Sequence, residues 1–377
     1  MNNFSATLLK WYGHYKRELP WRDEQDPYKI WVSEIILQQT RISQGWNYYL
    51  RFIERFPSVA DLAAATEDEV LKQWQGLGYY SRARNLHTGA KQIAAQHDGK
   101  FPHLYHDVLK IKGVGEYTAA AIVSMAFNLP YPAIDGNAFR VLTRIFGIHT
   151  PIDTQAGKKE ITVLANQLID KKQAGIFNQA IMDFGSLQCV PSNPDCEQCC
   201  FAASCVAKQK NLQTVLPIKS QKTKIQTRYF YYLHIRNQGK TLIQKRENKD
   251  IWKGLYEFPL LESKEELPID EILQSFSSKD MLKNCTWVLD AVSPVYKHQL
   301  SHQLIIAQFI TLVVTQGSPT PPPPLLFISE SELTTYPIAR LTERFLNEQT
   351  AKINVGRGGM STLFFFIIIL KKMFGQA

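Results

Sequence analysis

The chain is organised around one short stretch, Leu109-Lys110-Ile111-Lys112-Gly113-Val114-Gly115-Glu116-Tyr117-Thr118. The two glycines flank a single apolar residue and lead directly into a pattern in which apolar residues recur at the spacing of one buried helix face. A tight turn placed before a helix points backbone N–H groups outward at the positive end of that helix. The stretch therefore predicts a grip for phosphate groups.

Two carboxyl groups are candidates for chemistry near this grip. Asp135 follows in the loop before the next predicted helix, and Glu34 lies inside a mostly apolar helical pattern over 28–40. Asp26-Pro27 is a good start for the latter helix, with Asp as N-cap and Pro at the first position. A buried carboxyl has a raised pKa and keeps its proton near neutral pH. Glu34 on an exposed strip, or paired with a distant arginine, remains an alternative.

Composition predicts a two-domain protein with a polyanionic partner. The 377 residues are enough for two sizeable cores. A net charge of +9 suits DNA, RNA or an acidic membrane surface, although a merely basic soluble protein also fits. No signal peptide is apparent, because the N-terminal segment carries charges and no apolar run, so we expect a cytoplasmic protein.

Four of the six cysteines are spaced as a metal-ligand set. They are Cys189, Cys196, Cys199 and Cys205, in the pattern C-x6-C-x2-C-x5-C. Soft thiolates crowded into one loop of a cytosolic protein favour zinc or an iron–sulfur cluster over disulfides. Cys200, next to Cys199, leaves one ligand ambiguous, and the spacing does not separate the two kinds of metal centre.

Helical patterns follow one another at short spacing before residue 225, without convincing strand alternation. Beside 28–40 they cover roughly 4–17, 44–55, 66–75, 80–96, 103–110, 116–127, 137–147, 157–170 and 175–187. We therefore predict an all-α domain over 1–207, followed by a polar, basic linker over 208–225.

A second glycine-rich turn, Gly76-Leu77-Gly78-Tyr79-Tyr80-Ser81-Arg82, separates two of these helices. Adjacent tyrosines in a basic setting suit an exposed aromatic wedge that unstacks bases. The alternative is that both tyrosines belong to the core.

The C-terminal part changes character to a small α+β domain over 226–350. Strands are predicted over 227–236, 241–246, 285–289 and 304–314, and helices over 270–282 and 339–347. The remaining residues, 351–377, are expected to form an atypical, disordered tail. Its apolar run Leu363–Leu370 is too short to span a bilayer, and we favour a frameshifted end over an added strand or a sticky tail.

Together these motifs resemble the helix-hairpin-helix DNA glycosylases that carry an iron–sulfur cluster, and within them the adenine-specific MutY branch. The resemblance covers about residues 5–350. Beside the hairpin and the cysteines, it includes Leu19-Pro20-Trp21-Arg22, Ser33-Glu34-Ile35-Ile36-Leu37-Gln38-Gln39-Thr40 and Asp135-Gly136-Asn137. It implies an all-α helix-hairpin-helix domain with an iron–sulfur loop, followed by an α+β MutT/Nudix-like domain that contains Trp252-Lys253-Gly254-Leu255-Tyr256-Glu257-Phe258-Pro259.

The resemblance also implies removal of adenine from DNA by hydrolysis of its N-glycosidic bond, and a 4Fe–4S cofactor on the four cysteines. The partner is double-stranded DNA with adenine opposite 8-oxoguanine or guanine, bound by a monomer in a bacterial cytoplasm. Related lyases carry a Schiff-base lysine where this chain has Tyr117, so a monofunctional glycosylase is implied. We then expect Glu34 to protonate the base and Asp135 to stabilise the sugar. Burial would keep Glu34 protonated, and the helix start would keep Asp135 ionised, so their two pKa values are pushed apart.

Further roles follow from the same resemblance. Tyr117 and Asn137 assist at the catalytic centre, and Arg22 and Gln179 contact the adenine. The DNA contacts are Gln39, Thr40, Leu77, Tyr79, Gly113, Val114 and Gly115, and the 8-oxoguanine contacts are Ser301 and His302. Leu300 stands where the family usually has Phe. The Glu-rich metal box of nucleotide hydrolases is missing after Gly254, so we expect recognition and not hydrolysis in the C-terminal domain.

Three rival functions remain at this stage: a bifunctional glycosylase/lyase, a non-catalytic DNA-binding protein that uses the hairpin as a grip, and a nucleotide hydrolase. Tyr117 argues against the first, the Glu34 and Asp135 pair against the second, and the missing metal box against the third.

Overall fold

The computed structural model describes residues 3–220, 225–277, 280–282, 285–319 and 321–357. The chain divides into two compact units, Met1–Thr223 and Lys224–Ala377. Within the described ranges, no helix has both the length and the apolar composition needed to cross a membrane.

The first unit is all-α, as the sequence predicts. Its helices are α1 Phe4–Tyr15, α2 Pro27–Leu37, α3 Ile42–Arg55, α4 Val59–Ala64, α5 Glu67–Gln73, α6 Ser81–Gln96, α7 Tyr105–Val108, α8 Glu116–Phe127, α9 Gly136–Phe146, α10 Gln155–Leu168, α11 Ala174–Leu187 and α12 Val206–Gln209. The short helix α4 was not predicted. Side-chain caps begin several helices: Asp26 accepts from Tyr28 N–H at α2, and Asp135 accepts from Ala138 N–H at α9.

The core of this unit places α2 and α8 side by side behind the predicted hairpin. Both helices are apolar almost all round and bury most of their residues, which marks them as central helices. A second cluster joins α1, α9, α10 and α11 through residues such as Leu8, Val141, Ile161 and Phe184. These two packed layers hold Glu34 on α2 and Asp135 at the start of α9.

The predicted linker over 208–225 is wrong in its extent. Leu216 is buried, and its neighbours Leu212 and Ile218 pack on the cluster around α1, α9, α10 and α11. The Ile152 N–H donates to the Ile218 carbonyl at 3.0 Å, and the Ser220 N–H donates to the Asp153 carboxylate at 2.9 Å. Residues 208–220 therefore belong to the first unit. The sequence did not show this, because the few apolar side chains in this polar segment pack against helices that are distant in the sequence.

The second unit is an α+β fold around one mixed sheet. Its strands are β1 Gln226–Asn237, β2 Lys240–Lys245, β3 Tyr256–Glu257, β4 Leu260–Ser263, β5 Thr286–Val292, β6 Tyr296–Gln299, β7 Gln303–Gln316 and β8 Leu325–Ser329. The main order is β3-β2-β1-β7-β5, with β4 on β1, β6 on β7 and β8 on β2. Strands β1 and β7 are parallel, and the other pairs are antiparallel.

Two apolar clusters cover the two faces of this sheet. Alternate residues of β1 face opposite ways, so Phe230 and Tyr232 join the cluster of helix α14, while Tyr231 and Leu233 join that of helix α13. Helix α13 spans Ile269–Ser277 and α14 spans Arg340–Arg357. The four predicted strands are confirmed, and the short strands β3, β4, β6 and β8 were missed.

The predicted tail over 351–377 begins too early. Helix α14 continues to Arg357, through the first residues assigned to the tail. The apolar run Leu363–Leu370 lies outside the described residues.

Candidate active site

A cavity of about 890 Å³ opens in the first unit, where α2, the α5–α6 turn and the starts of α8 and α9 face α11. All residues predicted for catalysis and adenine contact line it, with three of those predicted for DNA contact: Arg22, Glu34, Gln39, Thr40, Tyr79, Tyr117, Asp135, Asn137 and Gln179. Leu77 does not, because its side chain is buried beneath the turn, contrary to the exposed position that a DNA contact requires. The cavity therefore brings together six separate segments of the chain, two of which carry the candidate carboxyl groups.

Glu34 is buried in this cavity, only 8% exposed, which excludes the exposed-strip alternative. The Tyr117 hydroxyl donates to Glu34 Oε2 at 2.5 Å and also lies 3.3 Å from Met182 Sδ. Burial raises the pKa of Glu34 to about 7, and the nearby Asp135 adds to this, whereas the Tyr117 hydrogen bond and Arg22 oppose it. Glu34 thus carries a proton that is exchangeable near neutral pH.

Asp135 is the N-cap of α9 and accepts two hydrogen bonds. The Ala138 N–H donates to Oδ1 at 2.8 Å, and the Asn137 side-chain amide donates to Oδ2 at 2.7 Å. Burial raises the pKa of both carboxyl groups, and at Asp135 the hydrogen bonds and Arg140 counteract this in part, so the expected separation of the two pKa values stays a prediction. The donors that hold Asp135 nevertheless favour its ionised form.

Asp135 is held in place through a chain of contacts that was not predicted. Arg140 donates to Asn137 Oδ1 at 2.7 Å, and also to the carbonyls of Gly185 at 2.6 Å and Cys189 at 2.8 Å. Helix α11 can come this close because Gly185 lacks a Cβ, which would stand 2.6 Å from Asn137 Cβ. The position of Asp135 is therefore tied to the end of α11, where the cysteine loop begins.

Arg22 and Gln179 lie in the cavity but are engaged by protein groups. Arg22 donates to Asp183 Oδ1 at 2.5 Å, and this carboxylate is fully buried and also bound by Arg17. Gln179 donates to the Arg22 carbonyl at 3.0 Å and accepts from the Tyr12 hydroxyl at 3.0 Å. Asp183 was missed by sequence reasoning, since its partners lie more than a hundred residues away.

Of the two adjacent tyrosines in the glycine-rich turn, one is exposed, as a wedge requires, and the other lies in the core. Tyr80 is buried and belongs to the core, whereas Tyr79 is 47% exposed at the edge of the cavity. Gln39, at the other edge, is also exposed. Only Tyr79 of the pair can act as an aromatic wedge.

The hairpin at Gly113–Gly115 differs in detail from the predicted grip. Gly113 adopts a positive φ of 82°, and a Cβ there would stand 2.5 Å from Asn85 Cβ, so this position requires glycine. The Val114 N–H already donates to the Ile111 carbonyl at 3.1 Å, so it closes the turn and is not directed at a ligand. Gly115 is the N-cap of α8 without a side-chain hydrogen bond, which leaves the first turn of α8 open to an anion.

Cys189, Cys196, Cys199 and Cys205 line one small cavity, whereas Cys200 is exposed and is not part of its lining. Arg144 lies 3.5 Å from Cys189 Sγ, and the Phe201 N–H donates to Cys199 Sγ at 3.4 Å, so cationic and N–H groups surround the sulfurs. In the described part of the chain, no three ligating side chains converge closely enough for a single metal ion. A donor set of four thiols around a common space still fits a larger group.

In the second unit, Ser301 and His302 are exposed at the tip of the β6–β7 turn. The Leu300 N–H donates to the Gln303 carbonyl at 2.8 Å and closes this turn. Leu300 itself packs against the apolar cluster under α14, so it is not a free wedge.

The carboxylates near the Nudix-like segment are bound by arginine. Arg246 donates to Glu257 at 3.1 Å and to both Asp250 and Glu262 at 2.7 Å, and Arg228 binds the last two as well. All three carboxylates are therefore paired with guanidinium groups in this structure.

Comparison with known proteins supports this assignment of the two units. The family model described as HhH-GPD superfamily base excision DNA repair protein matches residues 32–167, and the NUDIX domain model matches residues 231–348. The chain is 34% identical over 323 residues to an adenine DNA glycosylase of Buchnera aphidicola subsp. Baizongia pistaciae, which covers 84% of this chain and 87% of the relative. The human adenine DNA glycosylase is 40% identical over 216 residues, or 55% of this chain and 40% of that protein.

A solved structure of a thermostable thymine-DNA glycosylase is 29% identical, with a TM-score of 0.52 over 55% of this chain and 96% of that one. The helical unit therefore has the fold of a DNA glycosylase. With a curated relative matched along most of both lengths, the chain belongs to the adenine DNA glycosylase family of base excision repair enzymes.

Proposed function

We propose that this glycosylase removes adenine mispaired with 8-oxoguanine or guanine by hydrolysing its N-glycosidic bond, without cutting the strand. The observation that carries the proposal is the buried Glu34, bonded to Tyr117 in the same cavity as Asp135. Excision of adenine from an 8-oxoguanine·A duplex, followed by alkali to cleave the abasic site, tests it. Strand breaks that appear without alkali would contradict the proposal.

The chemistry needs the adenine outside the stack, where it reaches the cavity. Glu34 donates its proton to N7 of the base, which then leaves as a neutral molecule. The Tyr117 hydroxyl holds Glu34 Oε2, so the second carboxyl oxygen is the one that carries the proton toward the base. Proton donation by a positioned carboxyl contributes typically about 10²–10⁴-fold in rate.

Asp135 acts on the sugar as the glycosidic bond breaks. Positive charge develops on the deoxyribose ring, and an ionised carboxylate beside it stabilises the oxocarbenium ion or bonds to it covalently. The hydrogen bonds from Ala138 and Asn137 favour the ionised form of this carboxylate and orient it. Water then completes the hydrolysis, as in glycosidases with one protonated and one ionised carboxyl group.

Base removal without strand cutting rests on the absence of a suitable amine. Tyr117 occupies the position of the lyase lysine, and a phenol cannot form a Schiff base. Among the described residues, the cavity lining contains arginines but no lysine. Treatment with borohydride during turnover should therefore trap no protein–DNA adduct, and a trapped adduct would establish a lyase.

The β6–β7 turn is the proposed reader of 8-oxoguanine. Ser301 and His302 offer hydrogen-bonding groups at an exposed tip with a fixed backbone. Replacing both by alanine should narrow the rate preference for 8-oxoguanine·A over G·A, while Lys240→Ala, at the exposed start of β2, should leave the preference unchanged. An unchanged ratio in the double variant would mean that this turn does not read the lesion.

The four cysteines that share a cavity are the proposed ligands of a 4Fe–4S cluster. Each thiolate of such a cluster binds a different iron, so the sulfurs surround a larger space than one zinc ion needs. The cluster would hold the loop over 189–205 in a fixed shape, with no part in base removal. Cys196→Ser should lose iron and sulfide, whereas Cys200→Ser should keep both. Zinc in the purified protein, without iron, would contradict the assignment.

DNA contact is proposed at three places on the first unit. The open first turn of α8 binds a phosphate, and Gln39 with Thr40 and Tyr79 enter the opened duplex at the two edges of the cavity. We expect one monomer to act on each mispair, because the segments that line the cavity all belong to the first compact unit.

A further inference from the structure

A half-buried arginine, Arg82, connects the two edges of the cavity that carry Gln39 and Tyr79. It lies in the first turn of α6, directly after the glycine-rich turn. Its Nη1 donates to the Ile35 carbonyl at 2.9 Å and to the Gln38 carbonyl, and its Nη2 lies 3.4 Å from the Gly78 carbonyl. The guanidinium also lies 5.2 Å from the centre of the Tyr79 ring.

These contacts satisfy groups that the end of α2 leaves open. The last carbonyls of a helix lack partners within the helix, and α2 ends at Leu37 with Gln38 as its C-cap. A guanidinium presents several N–H groups in one plane and can bind more than one carbonyl, which an ammonium group does less well. Burial lowers the pKa of Arg82 to about 10, so it remains charged at neutral pH.

The two residues that Arg82 holds share an uncommon backbone conformation. Gln39 has a φ of 57° and Tyr79 a φ of 48°, both in the left-handed region that residues other than glycine rarely adopt. Such conformations persist only where neighbouring contacts maintain them. The Gln38 carbonyl belongs to the peptide group that links Gln38 to Gln39, and the Gly78 carbonyl belongs to the one that links Gly78 to Tyr79. Arg82 therefore binds the backbone directly next to both strained residues.

We propose that Arg82 is a positioning residue that sets Gln39 and Tyr79 at a fixed separation for joint insertion into DNA. The inference rests on the proposed insertion of these two side chains, and it adds that they act as one unit. Arg82 would not touch the adenine. The alternative is that Arg82 only stabilises the end of α2, in which case its loss acts independently of the two side chains.

A double-mutant cycle separates these two roles. The variants are Arg82→Lys, the pair Gln39→Ala with Tyr79→Ala, and all three changes together, each in the full-length protein. The probe is a duplex with 2-aminopurine in place of the target adenine opposite 8-oxoguanine, whose fluorescence rises when the base unstacks. A misplacement of about 1 Å can reduce a rate by about 100-fold, so we expect Arg82→Lys to slow unstacking by about 10- to 100-fold.

Coupling decides the outcome. We expect Arg82→Lys to slow unstacking less than about threefold when Gln39 and Tyr79 are already alanine. The side chains that Arg82 positions are then absent, so its replacement has little left to disturb. Equal slowing in both backgrounds would overturn the proposal in favour of a stabilising role. An effect of the alanine pair on unstacking without any effect of Arg82→Lys would overturn this inference and leave the proposed insertion intact. If the alanine pair itself leaves unstacking unchanged, both fail.

The matched control is Arg55→Lys, at the end of α3. Arg55 forms an exposed ion pair with Glu69 at 2.5 Å and does not line the cavity. It should leave unstacking and excision unchanged. Unfolding midpoints of Arg82→Lys and Arg55→Lys, measured in urea, show whether the slower unstacking occurs in a folded protein.

Discussion

At the scale of single residues, Glu34 shows how the site sacrifices stability for chemistry. Its carboxyl is buried among apolar side chains, and its pKa of about 7 means that ionisation inside the folded protein is unfavourable. In the unfolded chain the same group has an ordinary pKa near 4.5. Between these two pKa values the folded protein keeps this proton while the unfolded chain releases it, so stability falls as the pH rises from about 4.5 to about 7 and then levels off.

Glu34→Gln should consequently raise the free energy of unfolding, and more so at alkaline pH. The amide keeps an acceptor for the Tyr117 hydroxyl but cannot ionise. At 1.36 kcal/mol for each pKa unit, the gain at about pH 8 should exceed the gain at about pH 5 by roughly 2 kcal/mol. Urea unfolding of both proteins at the two pH values measures this. An equal gain at both would mean that Glu34 titrates normally.

At the scale of elements, the start of α8 makes the two hairpin glycines unequal. Gly113 combines a positive φ with a close approach to Asn85, whereas Gly115 has a φ of −96° and open space where a Cβ would stand. The sequence shows two similar glycines, and only the backbone geometry distinguishes them.

Gly113→Ala should destabilise the protein by about 1–3 kcal/mol, because alanine pays for both the left-handed backbone and the contact with Asn85. Gly115→Ala should cost less than about 1 kcal/mol, since nothing opposes the added methyl group. Thermal unfolding of the two variants provides the comparison. A larger loss for Gly115→Ala would contradict this assignment of the turn.

Most helices were predictable because their patterns are local. The helix that begins after Asp26-Pro27 and the helix after Gly115 follow from a cap and an apolar face. The six-residue α4 and the two-residue β3 are too short to show a period, so they were missed. The contacts of Asp183, Arg140 and Arg82 were also not predicted, because they depend on partners that only tertiary packing brings near.

At the scale of the whole molecule, the boundary between the units lies later than the polar sequence indicates. Arg144 donates to the carbonyls of Gln213 at 2.6 Å and Leu216 at 3.0 Å, so the segment after the cysteines completes the first unit. Apolar residues in that segment cover the core that also supports the cysteine loop.

A fragment that ends at residue 220 should therefore fold with normal cooperativity, whereas one that ends at residue 207 should be markedly less stable. The shorter fragment exposes core around Leu216 and leaves buried donors of Arg144 without acceptors, each worth about 1–3 kcal/mol. Circular dichroism during thermal unfolding compares the two fragments. Equal stability would show that residues 208–220 are a linker after all.

The central claim is that protonated Glu34 drives adenine release. It is tested most directly by the single-turnover rate of adenine excision from an 8-oxoguanine·A duplex, measured from about pH 5.5 to pH 9. Because the acid must be protonated, the rate should be high below the Glu34 pKa of about 7 and fall about tenfold per pH unit above it. Glu34→Gln should bind the duplex but lose excision. A pH-independent rate, or near-normal excision by Glu34→Gln, would contradict the claim.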